Sequence, residues 1–234
     1  MNNDALNQLP LNRSSQFLIE RIKVITTTLC LCTFLISPLA ASEVSLQAQA
    51  GIESSKHLKY LKRDRSGNPV PDNTKQWHCV EDTHNGLVWE VKSSDGGMRD
   101  KNNSYSWFQP VNEASPNQVH SGSTDRGRCS GNTDCDTFAY IQAINEQKFC
   151  GYSDWRLPTK SEMLSIVSLE KNTSAVTINN HYFPETLPSW YWTASSNKND
   201  PEYAWYVLFR NGITLNDLKE HPKHIRLVRT DKKT

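Results

Sequence analysis

Four cysteines, Cys79, Cys129, Cys135 and Cys150, follow the first apolar segment of this 234-residue chain and limit its possible folds more than any other feature. Their meaning depends on compartment, because disulfides persist in oxidising surroundings and are rare in the cytosol. The N-terminus speaks to that. Arg13, Arg21 and Lys23 precede the apolar run VITTTLCLCTFLI at 24–36, and the small residues of SPLAAS follow. A basic flank, a short apolar core and small residues at its end read as a secretory signal peptide over residues 1–42. The run is short for a bilayer span, so no stable membrane insertion is expected once it is removed; an uncleaved anchor is the competing reading. Cleavage after Ser42 satisfies the small-x-small rule through Ala40, and AQA, ending at Ala50, is a more distant alternative. Cys30 lacks the neighbours of a lipoprotein cysteine. A secreted, periplasmic or cell-surface protein is therefore expected.

Four cysteines in an exported chain read as two disulfides, with three possible pairings. The favoured pairing is Cys129–Cys135, which closes the Ser-Gly-Asn-Thr-Asp loop, with Cys79–Cys150, which ties an early strand to the segment CGYSDWRLPTKSEM. Closing the longer loop stabilises by about 3–5 kcal/mol. Zinc is the rival explanation, but no Cys-x-x-Cys pair is present.

Removing residues 1–42 takes away three basic and two acidic residues, which leaves 23 of each. A neutral chain of this kind argues against a nucleic-acid partner, which calls for a basic domain. Seven Trp and eight Tyr allow a core rich in rings.

Residues 43–57 read as a loose polar leader. From 58 onward, turn signals at Gly67-Asn68, Pro71-Asp72 and Asn85-Gly86 separate three strands. In the third, Leu87, Trp89 and Val91 share one face, and Val88 and Glu90 the other. Residues 93–133 form a long loop region, of a length that is functional or cross-linked in compact domains. A helix is expected over 134–147, capped by Asp134 or Asp136, with Phe138, Ile141 and Ile144 on its apolar face. A second follows Pro158, opened by a capping box between Thr159 and Glu162, with Met163, Leu164, Ile166 and Val167 apolar, and ends near Leu169. Strands are expected at 189–196, 202–209 and 224–230, with a turn at Asn211-Gly212.

GLVWEVK, DGGMRDKNNSYSW, CDTFAYIQAINEQKFCGYSDWRLPTKSEMLSIV, FP, YWTAS, AWYVLFRNG and IRLVR occur in this order. The series resembles the C-terminal domain family of the Legionella collagen-like adhesin, over residues 58–230. DWRLPT before a helix, and YWTAS before AWYV, also resemble the formylglycine-generating-enzyme and C-type-lectin-like fold. The resemblance implies an α+β domain of two helices packed on small twisted antiparallel sheets, stapled by disulfides. It also implies binding to sulfated polysaccharides or glycosaminoglycans, and a homo-oligomer. The collagen-like Gly-x-y repeat has no counterpart here, so the stalk's avidity does not carry over.

Enzymatic relatives of that fold use a reactive cysteine pair near the C-terminal end. This chain has no cysteine after Cys150 and no G-x-S-x-G element, so it is not expected to be an enzyme. His181, His221 and His224 are expected at the surface or in turns. Asp95, Asp100, Asp125, Asp134 and Asp136, with Asn102, Asn103 and Asn132, offer oxygens that suit a structural calcium. Solvated loop carboxylates are the default, and no cofactor is expected. A glycan site would draw rings from Tyr105, Trp107, Phe108, Trp190, Tyr191 and Tyr203. A sulfated ligand would need a basic patch, for which Arg126, Arg128, Lys219, Lys223, His224 and Arg226 are candidates. Trp89, Trp155, Trp192 and Trp205 are expected in the core. Asp154 or backbone carbonyls are expected to hold Arg156, since an unpaired buried charge is costly. Pro158 stops the extended run ahead of the helix. The expected function is a non-enzymatic module, binding carbohydrate in adhesion. The alternative is a structural or self-associating interaction domain without a glycan site.

Overall fold

The Asn85-Gly86 signal folds as its residues dictate. In the computed structural model, strands β2 (Cys79–Asp82) and β3 (Leu87–Glu90) pair antiparallel around it. Gly86 takes a left-handed φ of 67° and donates its N–H to the Asp82 carbonyl. The structure describes residues 59–110, 121–131, 134–168 and 175–231. The expected signal peptide and leader lie outside the described residues.

Strand β1 (Tyr60–Arg63) flanks β2 and β7 (Val228–Thr230) flanks β3, giving one antiparallel sheet in the order β1-β2-β3-β7. A second sheet, β4-β5-β6, is built from Trp190–Ser196, Tyr203–Leu208 and Ile213–Leu218. Two helices, α1 (Thr137–Glu146) and α2 (Lys160–Ser165), complete the α+β fold, with a 3₁₀ turn at Phe149–Gly151 between them. The Cys79–Cys150 and Cys129–Cys135 disulfides are both present, in the pairing expected from the sequence.

Period-2 alternation distributes each sheet between two cores. Leu87, Trp89, Val91, Tyr191, Val207 and Val228 meet in one. Val88, Trp192, Tyr206 and Leu227 meet Trp155, Tyr105 and Trp107 in the other. Glu90 shares the second face and is fully buried. It accepts hydrogen bonds from Lys92 Nζ (3.0 Å), the Tyr140 hydroxyl and the Leu227 N–H (3.0 Å). Burial opposes its ionisation, but Lys92 and these donors outweigh that and hold the carboxyl below its ordinary range.

The Glu90 network also corrects the α1 face. Tyr140, Ala143 and Ile144 are buried, while Phe138 and Ile141 are half-buried, because Glu90 and Lys92 draw the Tyr140 ring inward. Asp136 caps α1, accepting from the Ala139 N–H. Helix α2 is shorter than expected, ending at Ser165, and leaves Leu164 exposed. Only 228–230 of the expected last strand is regular. The Leu227 N–H goes to the Glu90 side chain instead of to a neighbouring carbonyl. β6 was not expected as a strand, because Asn216 and Asp217 belong to residue types depleted in strands.

The segment CGYSDWRLPTKSEM joins these parts. Cys150 itself takes a left-handed φ of 52°, followed by Gly151 at 77°. Gly67 packs on it so closely that a Cβ there would stand 2.3 Å from the Cys150 carbonyl oxygen. Trp155, Leu157 and Pro158 are buried. Arg156 donates to a backbone carbonyl, that of Leu157 (3.2 Å), as one of the expected arrangements has it, but does not pair with Asp154. It forks onto Glu162 at 2.7 and 2.8 Å, and Glu162 also accepts the Thr159 N–H of the capping box. Asp154 instead holds Arg229 (2.7 Å), whose guanidinium lies over the Tyr152 ring. Glu162, six residues on, offers both oxygens to the Arg156 guanidinium, while both oxygens of Asp154 are taken by Arg229. Trp205 is half-buried instead of core, with the Lys160 amine 3.9 Å from its ring centre.

Candidate functional site

The second sheet does not stop at β4. His224 bonds to the free edge of β4, donating to the Trp190 carbonyl and accepting from the Trp192 N–H. Lys223 exchanges backbone hydrogen bonds with Tyr105 (2.8 and 3.0 Å), and Ser104 does the same with Arg128 (2.8 and 2.9 Å). The long loops are thus laid beside β4 as three extended segments. Backbone order puts Arg128 three strand spacings from β4, about 14 Å.

This arrangement sorts the candidate residues by depth. Tyr105 and Trp107 are each 1% exposed and belong to the core, which corrects their assignment as ligand contacts. The Tyr105 hydroxyl donates to the Met98 carbonyl (3.2 Å), and the Trp107 indole donates to the Thr193 carbonyl (2.9 Å). Tyr191 is buried, Phe108 and Tyr203 are half-buried, and Trp190 is 49% exposed.

The basic candidates divide in the same way. Lys219, Lys223 and Arg226 are buried, so the expected C-terminal patch does not form. The Lys223 amine sits 4.6 Å from the centre of Trp192 and 4.8 Å from that of Tyr206, and is paired with Asp217 at 2.6 Å. Arg226 donates to the Glu90 carbonyl and to Thr186 Oγ1 (2.7 Å), with Phe183 beneath it. The Lys219 amine lies 4.1 Å from the Trp107 ring centre, and burial pulls its pKa down to about 8. Ring faces take up these cations in place of water. His224 is half-buried against Tyr191, with Nδ1 2.9 Å from the Asn103 carbonyl oxygen, whereas His181 and His221 are exposed.

Arg126 and Arg128 remain exposed, and neither has an ion pair among the described residues. Their loop is fixed from several sides. Asp125, at φ 47°, accepts the Cys135 N–H (2.9 Å), Arg126 N–H donates to Ser106 Oγ (3.1 Å), and the disulfide joins Cys129 to Cys135. Gly127 donates to the Cys135 carbonyl, and a Cβ on it would lie 2.2 Å from the Ser104 oxygen. The glycine must face inward, so the arginines on either side face out. The Arg-Gly-Arg triplet carried that signal in the sequence.

The loop carboxylates serve the backbone. Asp95 accepts from Ser93 and the Gly97 N–H, and Asp100 accepts from the N–H groups of Gly96 and Asn102. These bonds hold both carboxyls below their ordinary range. Among the described residues no group of three or more His, Cys, Asp or Glu converges as a metal set; Asn132 lies outside them. Nor is any described helix long and apolar enough to cross a membrane.

Chemically, the surface offers two exposed guanidinium forks on a loop of braced backbone, suited to sulfate or carboxylate groups, and an exposed indole face at Trp190. In comparison with known families, the model of the Lcl C-terminal domain matches residues 78–229. No curated protein and no solved structure matches the chain.

Proposed function

Because this chain belongs to the Lcl C-terminal domain family, we propose that it is a non-enzymatic, extracellular, adhesin-like module that holds acidic or sulfated polysaccharide through the Arg126–Arg128 loop. The observation that carries this reading is the pair of outward arginines on a loop that the Cys129–Cys135 disulfide and Gly127 keep in one shape. The loop backbone is already ordered, so only the two arginine side chains have freedom to lose on binding. Trp190 supplies the ring against which a sugar face packs. Both described disulfides support an oxidising location, and they leave no free thiol among the described residues to act as a nucleophile. With two cations in the loop, the site binds weakly and is screened by salt.

The test is a panel of immobilised polysaccharides, including heparin, fucoidan and a neutral glucan, probed at low salt. The reading expects binding to the sulfated chains and its loss on Arg126→Ala/Arg128→Ala. Absence of binding at low salt contradicts it.

A further inference from the structure

The dipeptide Asn-Gly occurs twice in the chain, at Asn85-Gly86 and Asn211-Gly212. Both close turns of the same build. Four residues lie between the register pairs Asp82↔Leu87 and Leu208↔Ile213. Each glycine N–H donates to the carbonyl of the last strand residue, Gly86 to Asp82 (2.9 Å) and Gly212 to Leu208 (2.8 Å), and both glycines are left-handed, at φ 67° and 75°. In each turn the asparagine Oδ1 accepts the N–H two residues on, from Leu87 (3.1 Å) or Ile213 (3.3 Å). Both asparagines are exposed, so access to water does not separate them.

Their surroundings do. Asn85 Nδ2 donates to Asp82 Oδ2 (3.1 Å) and to Ser165 Oγ of α2 (3.4 Å), so both ends of its amide are held. The Gly86 carbonyl accepts the Asp231 N–H (2.7 Å). Strands β2 and β3 are the inner pair of their sheet, and every residue in them is buried. Asn211 Nδ2, by contrast, donates to no group among the described residues. Its turn leads into β6, which pairs only with β5 among the described residues and has no buried residue. A hairpin at a sheet edge, with exposed backbone and few buried contacts, opens locally at lower cost than one at the centre of a sheet.

We infer that Asn211 is a modification site, deamidated by water in the folded protein to aspartate and isoaspartate, while Asn85 is protected within the same kind of turn. When the turn opens, the Gly212 nitrogen gives its proton to solvent and attacks Asn211 Cγ. A nitrogen–carbon bond forms, the amide nitrogen leaves as ammonia, and a succinimide ring closes. Glycine suits the step, since no Cβ obstructs its nitrogen. Water then opens the ring. Addition at Cγ leaves aspartate, and addition at the main-chain carbonyl leaves isoaspartate. The balance is one water in and one ammonia out, with no change of oxidation state. The product places a carboxylate beside the exposed Arg210. In the iso form the main chain runs through Cβ and Cγ, one carbon longer, in the turn that sets the β5–β6 register. At Asn85 the bonds to Asp82 and Ser165 hold the amide away from its own backbone, and the bond from Asp231 holds the glycine.

Peptide mass spectrometry on the intact, oxidised protein tests this. The protein is kept at mildly alkaline pH and digested after increasing times, and both sites are followed, with the urea-unfolded chain giving the reference rate for each. Relative to those references, Asn211 in the native protein should convert roughly tenfold faster than Asn85, or more. Electron-transfer fragmentation should find isoaspartate as well as aspartate at Asn211. Equal protection of the two sites, faster conversion at Asn85, or no conversion at Asn211 over a period in which the unfolded chain converts overturns the inference.

Discussion

Lys219, Lys223 and Arg226 show what one residue's identity reveals and what it conceals. Each looks like surface charge in the sequence, yet each is buried against rings. A long aliphatic stem with a cationic tip packs well on an aromatic face, and a chain with seven Trp and eight Tyr has many faces to offer. Lys219 gives this a pH signature. Its pKa in the fold, about 8, lies below its ordinary 10.5. Between those values the unfolded chain binds more protons than the native one, so this residue's contribution to stability rises with pH through the window. Thermal denaturation of the native protein and of Lys219→Met should therefore diverge from pH 8 to pH 10, with the native protein gaining relative to the variant. Parallel curves argue against a buried, neutralising amine.

At the scale of elements, helix starts and hairpins were legible in the sequence because local chemistry fixes them. The Thr159–Glu162 capping box and the Asn85-Gly86 turn formed where expected. The disulfide pairing was legible too, because the short loop had one economical closure. What stayed hidden depended on contacts distant in sequence. The rotated face of α1 follows from Glu90, fifty residues before Tyr140. The depth of Tyr105 and Trp107 follows from extended loops pairing beside β4. The Arg126–Arg128 loop was half legible. Arg126 and Arg128 were named, but the partners expected beside them went into the core. Two stability outcomes belong here. Arg156→Ala removes the fork onto Glu162 and loosens the cap of α2, and should cost about 1 kcal/mol by urea denaturation; an unchanged midpoint would show that the fork does not contribute. Replacing both Cys79 and Cys150 by alanine opens a connection 71 residues long and should cost about 4 kcal/mol, against about 2 kcal/mol for Cys129 with Cys135. The reverse order, measured by the same denaturation, contradicts the loop-closure account.

Across the whole molecule, Lys219, Lys223 and Arg226 go into the core, while Arg126 and Arg128 stay exposed side by side on one braced loop. On the proposed function, such a loop would hold a polyanion weakly. The most direct measurement is the affinity of the purified protein for heparin over a series of salt concentrations, with the native sequence and Arg126→Ala/Arg128→Ala side by side. The account predicts binding to the native protein that weakens as salt rises, and at least a tenfold loss in the double variant at low salt. Equal affinity in the two proteins would place the contact elsewhere and contradict it.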